Sequence, residues 1–142
     1  MRVLLDTNVW ISYLLAREET TTIRQVVRFC TGRGVQLLLP EELIEEIKAS
    51  IAKRSDLTRR ISDTDIEELI SQLRQVALVP PSLQQELAQY SRDPRDDYLL
   101  AYGLIHTCDY LVTGDRDLLV LRQVQALRIV EPADFLQLVQ KK

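Results

Sequence analysis

The chain has 142 residues, of which 46% are hydrophobic and 27% are charged, and its formal net charge is −3. This composition is typical of a soluble globular protein, and the length suits one domain that spans residues 1–142 and buries its own core. The small net charge excludes an overall basic character, but a local basic rim beside an acidic site remains compatible with it.

Two further features favour a soluble protein of the cytoplasm. Cys30 and Cys108 lie in apolar surroundings without Cys-x-x-Cys spacing, so we expect two buried free thiols. The apolar stretch Val3–Leu15 is interrupted by Asp6 and Asn8, which the core of a signal peptide would not tolerate. No apolar run reaches the length of a transmembrane helix, so we expect no membrane contact.

The hydrophobic pattern predicts strands and helices that alternate along the chain. We expect strands near residues 2–6, 35–39, 76–79, 109–113 and 127–130. Predicted helices cover 8–15, 22–30, 41–51, 64–73, 83–90, 97–105 and a final stretch from 132, with Thr64 and Glu67 as a capping box for the fourth. This alternation predicts an α/β fold with a parallel sheet between helical layers.

Carboxylates follow two of the predicted strands. The run Val3–Leu5 leads into Asp6, and the run Tyr110–Val112 leads through Thr113 and Gly114 to Asp115. The carboxyl ends of parallel strands meet at one edge of an open α/β sheet, which is where active sites lie. We therefore expect the two acids to share a site.

Two more acids fall where such a sheet would bring them to the same edge. Glu46 lies on the helix after the second strand, with Glu42 one turn away as an alternative, and Asp97 opens the helix before the fourth strand. Clustered carboxylates raise one another's pKa unless a cation neutralises them, and Mg²⁺ or Mn²⁺ prefers oxygen ligands. His106 is the single histidine, so zinc chemistry is disfavoured and metal-assisted hydrolysis of a phosphodiester is favoured.

Each acid also has a purely structural interpretation. Asp6 and Asp97 would be ordinary helix caps, Asp115 a turn former beside Gly114, and Glu46 part of a solvated helix face. Taken together, two acids at strand ends and a third at a helix start favour a site.

Three segments together resemble the signature segments of PIN domains, most closely those of toxin components of toxin–antitoxin systems related to VapC-type ribonucleases. These segments are Leu4–Val9, Asp93–Ala101 and Asp109–Leu118, and the tail from Ile129 to Leu136 resembles the closing strand and helix of the family. The resemblance implies a three-layer α/β/α sandwich with a central, mainly parallel sheet, and a ribonuclease that uses Mg²⁺ or Mn²⁺.

By position, the resemblance implies particular residue roles. The catalytic and metal-binding acids would be Asp6, Glu46, Asp97 and Asp115. Supporting roles would fall to Asn8, Asp93, Thr113 and Asp117, and RNA contacts to Arg92, Arg95 and Arg116, with a basic rim extended by Lys48, Lys53, Arg54, Arg59 and Arg60. Partners would be the RNA substrate, a cognate antitoxin protein and a second copy of the chain in a homodimer, which apolar surface along Val9–Leu15 or Ile66–Leu73 would permit.

The chain departs from the family pattern at two places. Pro40 stands where many relatives have a small hydroxyl residue, which leaves the choice among Glu42, Glu45 and Glu46 open, and Tyr102 with Gly103 replaces a small apolar pair. The main alternative function is a non-catalytic PIN-fold module that binds RNA or protein.

Overall fold

The computed structural model describes residues 1–83 and 97–140, and for Asp97 it describes the backbone. These residues form five strands: β1 (Arg2–Leu5), β2 (Gln36–Leu37), β3 (Tyr110–Val112), β4 (Gln123–Val124) and β5 (Leu127–Val130). They also form eight helices: α1 (Thr7–Leu15), α2 (Thr22–Cys30), α3 (Glu41–Ala52), α4 (Ser55–Thr58), α5 (Asp63–Val76), α6 (Asp97–Ile105), α7 (Arg116–Leu119) and α8 (Pro132–Gln140). The helix predicted near residues 83–90 lies outside this description.

The five strands form one sheet in the order β2-β1-β3-β5-β4. The pairs β1–β2, β1–β3 and β3–β5 are parallel, and β4 alone runs antiparallel, at the edge. The chain places β2 on one side of β1 and then β3 on the other. The gap between the carboxyl ends of β1 and β3 is therefore the switch point of the sheet, where open α/β sheets bind ligands.

Helices cover both faces of the sheet. Leu4 pairs with Leu111 in register, and on their face α6 packs so closely that a Cβ on Gly103 would lie 2.8 Å from Leu127 and 3.4 Å from Leu4. On the opposite face, the ring of Phe135 in α8 meets Tyr110 edge-on at 5.3 Å and Phe29 of α2 at 5.7 Å. The predicted three-layer α/β/α architecture is confirmed.

Two local predictions are wrong. Residues 76–79 are not a strand: α5 continues to Val76, and Leu78 forms an isolated parallel bridge to Leu38. The helix takes the first residue of the apolar run and Pro80 follows its last, so three residues are left for pairing and Leu78 alone forms a bridge. The capping box of α5 consists of Ser62 and Asp65, two residues before the predicted pair, because Ser62 is the residue with extended backbone before the first helical turn.

Pro40 does not disturb α3. It occupies the N-cap position without a side-chain cap, and its carbonyl oxygen accepts the amides of Leu43 and Ile44. Glu41 and Glu42 place negative charge in the first turn, which favours the helix dipole. The helix therefore keeps the start that the sequence predicts.

The cysteines and the helix lengths also follow the sequence. Cys30 and Cys108 are buried free thiols, and burial raises the pKa of each to about 12. Within residues 1–83 and 97–140, every helix is too short or too polar to cross a membrane.

Candidate active site

Asp6 lies at the carboxyl end of β1 and is 3% exposed. Its amide donates to the carbonyl oxygen of Val112 at 2.9 Å, so the hydrogen-bond ladder between β1 and β3 continues through this residue. Its Oδ1 accepts the amide of Thr7 at 2.7 Å, which makes Asp6 the N-cap of α1. The structural interpretation of Asp6 as a helix cap is therefore correct, and a role in a site has to coexist with it.

Ionisation of the buried Asp6 side chain is unfavourable. Its pKa is raised from 3.8 to about 6, chiefly by burial and in smaller part by the charges of Glu46 and Asp115, against the lowering effect of hydrogen bonds from Thr113 and Thr7. Three carboxylates thus lie near enough to repel one another. A cation bound among them would relieve that repulsion.

Polar side chains hold Asp6 from the end of β3. Its Oδ2 accepts the Thr113 hydroxyl at 2.7 Å and the amide nitrogen of Asn8 at 3.0 Å. The side-chain Oδ1 of Asn8 accepts a hydrogen bond from the backbone amide of Gly114 at 3.0 Å, so Asn8 connects the carboxyl ends of β1 and β3. The supporting positions predicted for Asn8 and Thr113 are consistent with these contacts.

Asp115 is bound into the same network through its backbone. Its amide donates to the Thr113 hydroxyl at 3.0 Å, and its Oδ1 accepts the Asp117 amide at 2.9 Å as the N-cap of α7. Asp117 thus supports Asp115 through its backbone. Arg116, between them, is exposed.

The structure distinguishes the three glutamates of α3 by their position relative to the cleft, which the sequence left open. Glu46 accepts a hydrogen bond from the Tyr98 hydroxyl of α6 and lines the cleft beside Asp6. Glu42 accepts the Tyr102 hydroxyl at 2.5 Å, and Glu45 is exposed. Of the three, Glu46 is the one placed next to the strand-end acids.

These side chains surround one open cleft of about 400 Å³. It is lined by Asp6, Thr7, Asn8, Ile11, Glu46, Ser50, Lys53, Arg54 and Asp115. The acids form one part of the lining, and Ser50, Lys53 and Arg54 from the end of α3 and beyond form a polar and basic part. Arg54 also pairs with Asp56 at 2.9 Å, whereas Lys53 forms no ion pair with another described residue.

The donor chemistry of the cleft fits a hard divalent cation. Carboxylate oxygens are the ligands that Mg²⁺ and Mn²⁺ prefer, and the Thr7 hydroxyl is buried in the cleft wall without a hydrogen-bond partner among the described residues. No three Asp, Glu, His or Cys side chains of the described residues lie close enough to hold one ion by themselves. A contribution from the Asp97 side chain stays a prediction, because that side chain lies outside the description.

Several predicted site residues lie beyond what the structure describes. The backbone of Asp97 begins α6, but its side chain is not described, and Arg92, Asp93 and Arg95 fall in the stretch 84–96. Arg116 is not among the residues that line the cleft. The roles of these residues stay predictions.

Sequence reasoning missed the tyrosines that hold the glutamates. Tyr98 and Tyr102 are four residues apart on α6, as Glu46 and Glu42 are on α3. Matched spacing of this kind indicates that two facing helices pair their side chains. It can be recognised only when the helices are already known to face each other.

The fold and the site together define an α/β protein with a carboxylate-lined cleft at the switch point of its parallel sheet. A family model described as a PIN domain matches residues 2–117, and on that match the chain belongs to the PIN domain family. PIN domains are usually nucleases that bind nucleic acid and use divalent metals. A search of curated proteins finds none that matches the chain.

Proposed function

We propose that this protein is an endoribonuclease that hydrolyses RNA phosphodiester bonds with the help of Mg²⁺ or Mn²⁺. Its catalytic and metal-binding acids would be Asp6, Glu46, Asp97 and Asp115. The observation that carries the proposal is the buried Asp6 carboxylate, whose pKa of about 6 reflects burial and two neighbouring acids that face the same cleft. Perturbed carboxylates in a cleft are the pattern expected of a catalytic site.

The protein's own groups divide the work. Asp6 would bind the ion with a carboxylate of fixed orientation, because three hydrogen bonds orient its two oxygens. Asp97 would bind from α6, Glu46 would bind the ion or orient its water, and Asp115 would complete the ligand set. A bound divalent ion supplies a Lewis acid that makes water more acidic and offsets charge on the phosphoryl oxygens.

The substrate would be drawn in by positive side chains around the acids. Lys53 and Arg54 line the cleft, and Arg116 follows Asp115 directly. Arg92 and Arg95 flank Asp93 in the sequence and would add phosphate contacts. Phosphate contacts of this kind position RNA without reading its sequence.

We further propose that the protein is the toxin of a toxin–antitoxin pair in the cytoplasm, with a cognate antitoxin protein as its partner. The support is the resemblance of its three signature segments to those of such toxins. Induced expression of the wild type should arrest growth, and Asp6→Asn expressed at the same level should not. Equal growth with both proteins would contradict the toxin role and leave the nuclease proposal to its own test.

The nuclease proposal is tested by incubating purified protein with a mixed RNA pool in Mg²⁺, Mn²⁺ or EDTA. Cleavage should require the metal and fall at least about 100-fold in Asp6→Asn, Asp97→Asn and Glu46→Gln, each checked for folding by circular dichroism. Glu45→Gln is the matched control, since Glu45 is the exposed neighbour of Glu46. Cleavage that persists in EDTA would contradict the proposal, and RNA binding with neither cleavage nor metal uptake would favour the non-catalytic module.

A further inference from the structure

Two tyrosine–glutamate pairs link α6 to α3. The Tyr98 hydroxyl donates to Oε2 of Glu46, and the Tyr102 hydroxyl donates to Oε2 of Glu42 at 2.5 Å. Each helix contributes residues four positions apart, so the two pairs lie one helical turn from each other, and they run in opposite order along the chain. The same chemical contact therefore occurs twice between the same two helices.

The two pairs differ in what surrounds them. Glu46 lines the cleft, and its charge is felt by Asp6. Glu42 is not among the residues that line the cleft. The hydroxyl of its partner Tyr102 also accepts a hydrogen bond from the Leu83 amide at 3.2 Å, and neither residue lines the cleft. One pair thus reaches the candidate metal site and the other supports the packing of α6.

We propose that Tyr98 is a positioning residue of the metal site, which holds the Glu46 carboxylate in the orientation that binds the ion. This inference rests on the proposed function. A glutamate on a helix has several freely rotating side-chain bonds, and a charge-assisted hydrogen bond to one oxygen selects one orientation before the ion arrives. Hydrogen bonds to ligating carboxylates are worth about 10- to 100-fold in metal affinity.

The position of Tyr98 in the chain gives this contact a second consequence. Tyr98 follows Asp97, and α6 begins at Asp97. The hydrogen bond to Glu46 therefore fastens the first turn of α6 to α3 at the level of the cleft.

The test is Mn²⁺ binding to the full chain, stripped with EDTA and titrated by calorimetry without RNA. Tyr98→Phe keeps the ring and removes the hydroxyl, and we expect its Kd for Mn²⁺ to rise about 10-fold. Tyr102→Phe is the matched control, because it removes an equivalent hydrogen bond from the other pair, and its Kd should stay within about 2-fold of the wild type.

Kinetics separate positioning from general packing. With RNA, Tyr98→Phe should lower kcat at a fixed, subsaturating Mn²⁺ concentration while KM for RNA stays unchanged. In a Glu46→Gln background, Tyr98→Phe should have no further effect on Mn²⁺ affinity, since Tyr98 acts through Glu46. The double variant also covers the case in which Tyr98→Phe alone fails to fold, because Glu46→Gln removes the charge that would be left unpaired.

The outcomes are distinguishable. If the wild type binds Mn²⁺ and Tyr98→Phe binds equally well, the positioning role is overturned and the nuclease proposal stands. A further loss of affinity on adding Tyr98→Phe to Glu46→Gln would likewise overturn it. A folded wild type that takes up no Mn²⁺ would overturn both proposals.

Discussion

The Thr113 hydroxyl donates a 2.7 Å hydrogen bond to Oδ2 of Asp6, although 107 positions separate the two residues in the chain. The same oxygen of Thr113 accepts the Asp115 amide at 3.0 Å. One fully buried hydroxyl therefore joins the acid that follows β1 to the acid that follows β3. The carboxylate of Asp6 and the backbone of Asp115 are thus hydrogen-bonded to the same side chain.

Replacement of Thr113 by valine, which has nearly the same shape, should destabilise the protein by about 1–3 kcal/mol at pH 7, because it leaves a buried carboxylate oxygen with one donor fewer. Thr113→Ser retains the hydroxyl and should cost less than half as much. Urea unfolding in EDTA measures both. Equal free energies of unfolding for the serine and valine variants would show that the hydroxyl does not matter.

The stability of the metal-free protein should fall as pH rises through the titration of Asp6. The folded-state pKa of about 6 lies above the ordinary value of 3.8, so the folded state binds more protons between these values. The cost of burying the charge is absent below about pH 4 and fully present above about pH 6. A shift of two pKa units corresponds to about 3 kcal/mol.

Comparison with Asp6→Asn isolates this effect. The free energy of unfolding of the wild type minus that of the variant should decrease by up to about 3 kcal/mol from pH 4 to pH 7, measured by urea unfolding in EDTA. Glu45→Gln, at an exposed position of α3, should show no such decrease. A difference that stays constant or increases with pH would contradict the origin assigned to the raised pKa.

Lys53 should contribute to RNA affinity through phosphate contact. Lys53→Ala should weaken binding of an uncleavable RNA and reduce the slope of log affinity against log salt by about one. Lys48→Ala is the control, since the Lys48 ammonium pairs with Glu67 at 3.3 Å and does not line the cleft. An identical salt dependence for both variants would exclude a specific role of Lys53.

The capping box of α5 allows a test that is independent of function. Ser62 accepts the Asp65 amide at 3.0 Å and Asp65 accepts the Ser62 amide at 3.0 Å, so Ser62→Ala should cost about 1 kcal/mol of unfolding free energy. Thr64→Ala, at the exposed position where the sequence pattern predicted the cap, should cost clearly less. Thermal or urea unfolding at one pH decides between the two positions.

The acids at the strand ends were predictable because each follows a short apolar run that can be recognised in the local sequence. Asp6 and Asp115 each end a short buried run, and parallel strands bring such ends to one edge whatever the rest of the chain does. Glu46 was predicted from its place on the helix after the second strand, with Glu42 as an alternative. The helix-cap interpretation of Asp6 was also weighed from sequence and is correct, whereas Asp115, which was weighed as a turn former, caps α7.

What sequence could not predict depends on how distant elements face one another. The stretch 76–79 has the composition of a strand, but α5 continues to Val76 and one bridge remains at Leu78. The partners of Tyr98 and Tyr102 follow from the rotation of α6 relative to α3, which no local pattern encodes. Glu42 and Glu46 were therefore indistinguishable until the two helices were seen together.

The ladder of the sheet does not stop where the strands end. The amide of Asp6 donates to Val112, and that of Thr113 donates to Val130 at 3.0 Å, so both residues are fastened by main-chain bonds to a neighbouring strand. Glu46 stands on a helix and reaches the site by a side-chain contact alone. One side of the candidate centre is thus anchored by the main chain of the sheet and the other by a side chain on a helix, so we expect any adjustment to a bound ligand to occur on the helix side.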